Sequence, residues 1–167
     1  IDFNELPTGP IPTLLASSTK DRRRVFLAAI PGADLAAIYD RWGTRLLEAN
    51  VRVFLQARSN VNKGIRRTLE NEPELFFSFN NGITATAERV GVVEDDGGLK
   101  IASLENLQIV NGAQTTASIY AAFKAKKDLR KVFVQMKLSE ISPEDAKDLV
   151  PRISEFANSQ NKVSAAD

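Results

Sequence analysis

The apolar pattern between Leu107 and Leu138 changes period twice, and this stretch limits most tightly what the chain can fold into. Leu107 to Val110 is a short apolar run that stops at Asn111-Gly112. Gly112 to Lys127 is Ala-rich and long enough for a helix. Val132, Val134, Met136 and Leu138 then fall on one face of a strand. Strand 107–110, helix 112–127 and strand 132–138 together predict a right-handed βαβ unit. Asp95-Asp96-Gly97-Gly98 separates the strand-like runs Ile83–Val93 and Leu99–Leu104, as a hairpin turn requires. The expected fold is therefore α/β: a mixed sheet with a β-hairpin and a βαβ unit, and helices packed against it.

The remaining segments fit that frame. Residues 1–20 carry Pro7, Pro10, Pro12 and several Ser and Thr, and predict an irregular lead-in. Arg24 to Ile30 predicts a buried strand, broken by Pro31-Gly32. Asp34 is positioned to cap a helix running to about Glu48. Val51 to Leu55 is apolar but too short to assign. Asn60 to Glu70 predicts a helix whose buried stripe is Val61, Ile65 and Leu69, with polar Asn62 oddly at the stripe's edge. Pro73 to Phe79 fits one helical turn. Ser142-Pro143-Glu144-Asp145 is a capping box ahead of an apolar stripe that includes Ile153 and Phe156. With 167 residues, a single domain spanning 1–167 is expected. The chain opens at Ile1 and stops at Asp167 after a polar turn, so it reads as an excised part of a longer protein with flanking domains.

Composition excludes several kinds of chemistry. The chain has no cysteine and no histidine, which rules out a Ser-His-Asp triad, a thiol nucleophile and a zinc site built on thiolate or imidazole. No metal site is expected, because Asp95 and Asp96 fall in a hairpin tip and Glu144, Asp145 and Asp148 on a solvent-facing helix. The absence of cysteine fits a reducing compartment. No apolar run approaches the ~20 residues of a membrane helix, and no signal-peptide pattern opens the chain. Net charge is only +1, yet Arg58, Lys63, Arg66 and Arg67 form one basic cluster and Lys124, Lys126, Lys127, Arg130 and Lys131 another. Each is a solvated face or a surface for phosphate.

Four asparagine-rich turns border regular elements and are the candidate site. The first is Asn80-Asn81-Gly82 with Thr84 after it. Its bland reading is a turn, since Asn and Gly accept left-handed backbone; a part-buried amide must still find a partner. The second is Asn111-Gly112-Ala113-Gln114-Thr115, where a strand ends and a helix begins. Either Asn111 is merely a cap, or the helix start is an anion site with Gln114 and Thr115 orienting the ligand. It lacks the G-K-[ST] of a Walker A loop. The third pairs Asn50 and Arg52 with Asn62; Arg52 is either a phosphate clamp or a structural partner. The fourth is Asn158-Ser159-Gln160-Asn161, where three amides in four residues exceed what a helix end needs.

These motifs in order, from Asn50-Val51-Arg52 through Val61-Asn62-Lys63-Gly64-Ile65, Phe79-Asn80-Asn81-Gly82-Ile83-Thr84 and Ile109-Val110-Asn111-Gly112-Ala113-Gln114-Thr115 to Asn158-Ser159-Gln160-Asn161, resemble the AIPR family. The letters stand for abortive infection phage resistance. The resemblance covers residues 50 to 162 and implies a bacterial, cytoplasmic anti-phage defence protein larger than this chain. Ala113 departs from relatives that carry a larger residue there. A looser similarity joins the strand–N-G-x-Q-T–helix layout to the D-G-Q-x-R turn of ParB/sulfiredoxin-like proteins, with Asn111 and Thr115 in place of its charged residues. Two functions are open. In one, a nucleotide or nucleic acid binds a pocket of Arg52, Asn62, Asn80, Asn81, Asn111, Gln114 and Asn161, and Mg²⁺ enters only with the nucleotide. In the other, the amides form a buried network in a non-catalytic sensor or interaction module.

Overall fold

The computed structural model describes residues 1–18, 23–57 and 62–159. Its centre is an antiparallel ladder between β2 (Arg24–Pro31) and β7 (Phe133–Glu140), in register from Val25 opposite Ser139 to Pro31 opposite Phe133. Phe26, Ala28 and Ile30 on one strand, and Val134, Met136 and Leu138 on the other, are buried on one side, as strict alternation requires. Against that side lie α1 (Gly32–Trp42), through Leu35 and Ile38, and α5 (Ala113–Lys124), through Ile119.

The lead-in is not irregular. Ile11–Ser18 forms strand β1, paired with β5 (Gly98–Glu105) at Ile11 and Pro12 and with β2 from Thr13 to Ser18. Most of β1 is exposed, including Leu14, so it shows no alternation to read. Its conformation comes from the backbone partners on either side, which override weak local preference.

Two helices also begin differently from expectation. Asp34 does not cap α1; Pro31 occupies that position. Asp34 is fully buried in the first turn, where its carboxylate accepts from the Thr8 N–H (3.2 Å) and hydroxyl. The helix stops at Gly43, whose φ of 61° breaks the helical path well before Glu48. Val51–Leu55 lies in α2 (Ala49–Ala57). The helix expected over 60–70 is α3 (Lys63–Asn71), while Arg58, Asn60 and Val61 lie outside the described residues. A 3-10 turn, Pro73–Leu75, and a short helix α4 (Phe76–Phe79) account for the predicted turn.

The run Ile83–Val93 divides at Glu88 into β3 (Ile83–Ala87) and β4 (Arg89–Asp95). With β6 (Gln108–Asn111) as its last strand, the order β4-β5-β1-β2-β7-β3-β6 places these two far apart in the sheet of seven described strands, although one residue joins them. The sheet must therefore roll back on itself. Arg24 clasps the roll: its Nε and Nη2 hold Glu140 at 2.8 and 2.7 Å, and Nη2 also donates to the Val90 carbonyl at 2.9 Å. The Val90 N–H donates to Glu140 at 2.8 Å. Burial pushes the Glu140 carboxyl up, but Arg24 and the Val90 N–H outweigh it and hold the group below the ordinary glutamate value.

The hairpin between β4 and β5 forms as expected, with Asp95 opposite Gly98. The βαβ unit does not. β6 (Gln108–Asn111) is antiparallel to β3, and β3 is parallel to β7, so β6 and β7 run in opposite directions with β3 between them. The parallel pair is β3 and β7. Its crossover contains the hairpin, β6 and α5, and no local pattern reveals that β3 inserts between the two strands. The chain remains a mixed α/β sheet with helices against it. Among the described residues, no helix is long and apolar enough to cross a membrane.

The clasp has a pH signature. Glu140 is held below its free value in the fold, so its contribution is present above the unfolded glutamate range near pH 4.5 and fades as pH falls through the lower, folded value. Glu140→Gln should lower stability at pH 7 by about 1.5–3 kcal/mol. The difference between variant and parent should shrink in acid, which urea melts at several pH values would measure.

Candidate functional site

The Asn80–Gly82 turn, the end of β6 and the first turn of α5 meet at one place. Gly112 adopts φ 98° ahead of α5, and a Cβ there would lie 2.6 Å from Ile83 Cγ2 and 2.8 Å from the Gly82 carbonyl. Gly82, at φ 81°, is as constrained, since a Cβ would lie 2.3 Å from the Gln135 carbonyl. Both glycines are required by positive φ and by close approach. Asn80 fixes its own turn by accepting from the Gly82 N–H (2.8 Å) and reaches α5 by donating to Thr115 Oγ1 (3.1 Å). Thr84 pairs with Asn111 across the sheet.

The fourth motif joins the same cluster from α6 (Pro143–Ser159). Asn111 Nδ2 donates to the Ala157 carbonyl at 2.9 Å, and Asn158 Nδ2 donates to the Val110 carbonyl at 2.9 Å. Ser154, only 2% exposed, donates to Glu48 Oε2 at 3.2 Å. Glu48 also accepts from the N–H groups of Asn50 (3.0 Å) and Val51 (3.3 Å), capping α2. Sequence reading passed over both Glu48 and Ser154. Neither carries a signal of its own, since glutamate is not a favoured helix cap and Ser154 lies inside an apolar stripe. The expected stripe holds in part: Ala146, Leu149, Val150, Ile153 and Ala157 are half-buried, whereas Phe156 is 56% exposed and the fully buried residue of α6 is the polar Ser154.

Several predicted residues serve the scaffold. Arg52 donates through Nε to the Thr44 carbonyl and through Nη2 to the Leu47 carbonyl, both at 3.0 Å, and so pins the 3-10 turn at Gly43–Leu46. Asn62 is the N-cap of α3, with Oδ1 accepting from the Ile65 N–H at 3.1 Å, which explains its place beside an apolar stripe. Its own N–H donates to Ser118 Oγ, a full turn away from Thr115 along α5. Asn50 is exposed and contributes its backbone alone to the Glu48 cap. Asn81 and Gln114 make no side-chain hydrogen bond to another described residue, and Gln160 and Asn161 lie outside the described residues.

What remains available at the cluster is limited and specific. No side chain caps α5, so its first-turn N–H groups lack helical acceptors and stand at the positive end of the helix. Asn81 and Gln114 border that turn. Two surface hollows, of about 400 and 410 Å³, lie elsewhere. One is lined by Trp42, Arg45 and Gln108, the other by Glu48, Thr86, Glu88 and Lys147, and neither by a residue of the predicted site. Among the described residues, no group of three or more acidic side chains is placed to hold a metal ion.

Comparison with known proteins adds one match. A family model described as AIPR protein matches residues 47–167, which include all four asparagine-rich turns. No curated protein and no solved structure matches the chain.

Asn158→Ala removes the closer of two side-chain donors to the Val110 carbonyl, leaving Ser154 Oγ at 3.4 Å, and Asn80→Ala removes the tie between the Asn80–Gly82 turn and α5. Each should cost about 1–3 kcal/mol, visible as a fall of several degrees in Tm. Asn81→Ala should stay within about 0.5 kcal/mol of the parent.

Proposed function

Because the chain belongs to the AIPR family, the abortive infection phage resistance proteins, we propose that it is a phage-defence domain that holds the phosphate of a nucleotide or nucleic acid at the first turn of α5. The observation that carries this reading is the uncapped start of α5 beside two amides, Asn81 and Gln114, that have no hydrogen-bond partner among the described residues. Donor groups at a helix start favour an anion. The Asn80–Thr115 and Asn111–Ala157 bonds keep the turn rigid around it. Asn81 and Gln114 supply the donor–acceptor pairs that would read a base or ribose. Mg²⁺, where present, arrives with the phosphates. The place of action is the bacterial cytoplasm, alongside flanking domains of a longer protein.

A second reading, a non-catalytic sensor or interaction module, is favoured by a different observation. Asn62, Asn80, Asn111, Asn158 and Arg52 all spend side-chain groups inside the protein. On that reading the chemistry of the turns is architectural, and the ligand is another protein.

Calorimetry with ATP, GTP and short dinucleotides, with and without Mg²⁺, separates the two. Gln114→Glu places a negative charge in the first turn of α5 and should weaken nucleotide binding about tenfold or more while leaving Tm near the parent value. Binding unchanged in Gln114→Glu, or no nucleotide bound at all, would discard the anion site in favour of the interaction module.

A further inference from the structure

We propose that the far end of α5, together with the outward side of α3, is a docking surface for single-stranded nucleic acid. This surface is separate from the start of α5 and does not rest on the reading given for it. Five of the eight residues from Lys124 to Lys131 are basic and one is acidic, in a chain of net charge +1. The fold then adds the second basic cluster. α3 packs along α5, with the Asn62 N–H on Ser118 Oγ at 3.2 Å, and Lys127 comes near enough to Glu70 to act on its charge.

Two of the nearby acids are paired with arginines, and a third, exposed Asp40, accepts from the Tyr120 hydroxyl at 2.8 Å. Asp128 is gripped by the Arg130 guanidinium at 2.8–3.2 Å, and Glu70 by Arg66 at 2.9 Å. Lys63, Arg67, Lys124, Lys126, Lys127 and Lys131 are exposed and form no ion pair among the described residues. That leaves a positive surface in need of counter-ions.

Aromatic rings border it. Phe123, 38% exposed, stacks near Tyr120 with ring centres 6.3 Å apart, and Tyr120 in turn meets Tyr39 at 5.0 Å. Rings beside lysines offer stacking for unpaired bases together with charge for phosphates. A duplex would present only the phosphates.

The backbone carries a further sign. α5 ends in a Schellman turn, with the Lys127 N–H on the Ala122 carbonyl and the Lys126 N–H on the Phe123 carbonyl, both at 3.0 Å. Lys126 holds the left-handed position at φ 59°, where glycine is the residue best suited to the backbone. A positive charge stands there against local conformational preference.

The test is fluorescence anisotropy of the chain against labelled oligo-dT and oligo-U over a range of salt. The triple variant Lys124→Glu/Lys127→Glu/Lys131→Glu should weaken binding at least about tenfold and reduce the salt slope by about 2. Phe123→Ala should weaken it about fivefold or more. Lys126→Gly should raise Tm and yet weaken binding, a combination that a purely structural lysine would not produce. Lys147→Glu on α6 should stay within about twofold, since screening limits distant charges. Absence of binding at low salt, equal loss in Lys147→Glu, or loss in Gln114→Glu as large as in the triple variant would overturn the assignment. So would duplex DNA or heparin binding as tightly as the single strands with Phe123→Ala silent, which marks general attraction to polyanions.

Discussion

Two glycine turns touching each other organise the cluster of asparagine-rich turns. Gly112 sits so close to Ile83 and the Gly82 carbonyl, and Gly82 so close to the Gln135 carbonyl, that neither position has room for a Cβ. This contact brings the start of β3, the end of β6, the body of β7 and the first turn of α5 to one point. Positive φ at both glycines lets the chain reverse without leaving that packing. Asn80 and Thr115 then lock the arrangement with a side-chain hydrogen bond between segments 35 residues apart.

The same region explains why so many amides are needed. β6 is the last strand of the sheet, and an edge strand exposes backbone groups that invite another chain. Here the edge is covered rather than left open. The Ile109 carbonyl accepts from the Glu48 N–H at 3.0 Å, and the Val110 carbonyl from Asn158 at 2.9 Å. Glu48 in turn is held by Ser154 and by the α2 amides. A buried carboxylate without a cation is costly unless donors meet it, and three donors converge on its Oε2. Polar groups thus close the sheet edge and tether α6 without a large apolar interface.

The elements whose apolar period matched their own structure were legible in the chain. β2, β7, α5 and the Asp95–Gly98 turn fall in this group, because burial on one face writes alternation or helical spacing directly into the residues. What stayed hidden depended on distant partners. β1 owes its form to β2 and β5 and shows no alternation of its own. The split at Glu88 and the insertion of β3 between β7 and β6 are consequences of sheet closure. At the site, the meeting of Asn80, Asn111, Thr115 and Asn158 could be anticipated from amides beside apolar residues, since such groups must find partners. Which partner each would take could not be anticipated. Arg52 and Asn62 satisfy local carbonyls and a helix end, and Glu48 and Ser154 escaped notice because neither residue type is unusual at a helix boundary or within a helix.

α5 emerges as the axis on which both proposed surfaces are mounted. Its twelve residues span about 18 Å at 1.5 Å per residue, and Thr116, Ala117 and Ile119 bury it against the sheet and α1. One end opens at a glycine turn with free N–H groups; the other closes in a Schellman turn whose following residues are lysines. Both ends attract negative charge, the first through the helix dipole and the second through side chains. Five of the chain's 22 basic residues fall between Lys124 and Lys131, so the positive charge at that end is local in a chain of net charge +1. Burial of the middle of the helix keeps the separation between its two ends fixed.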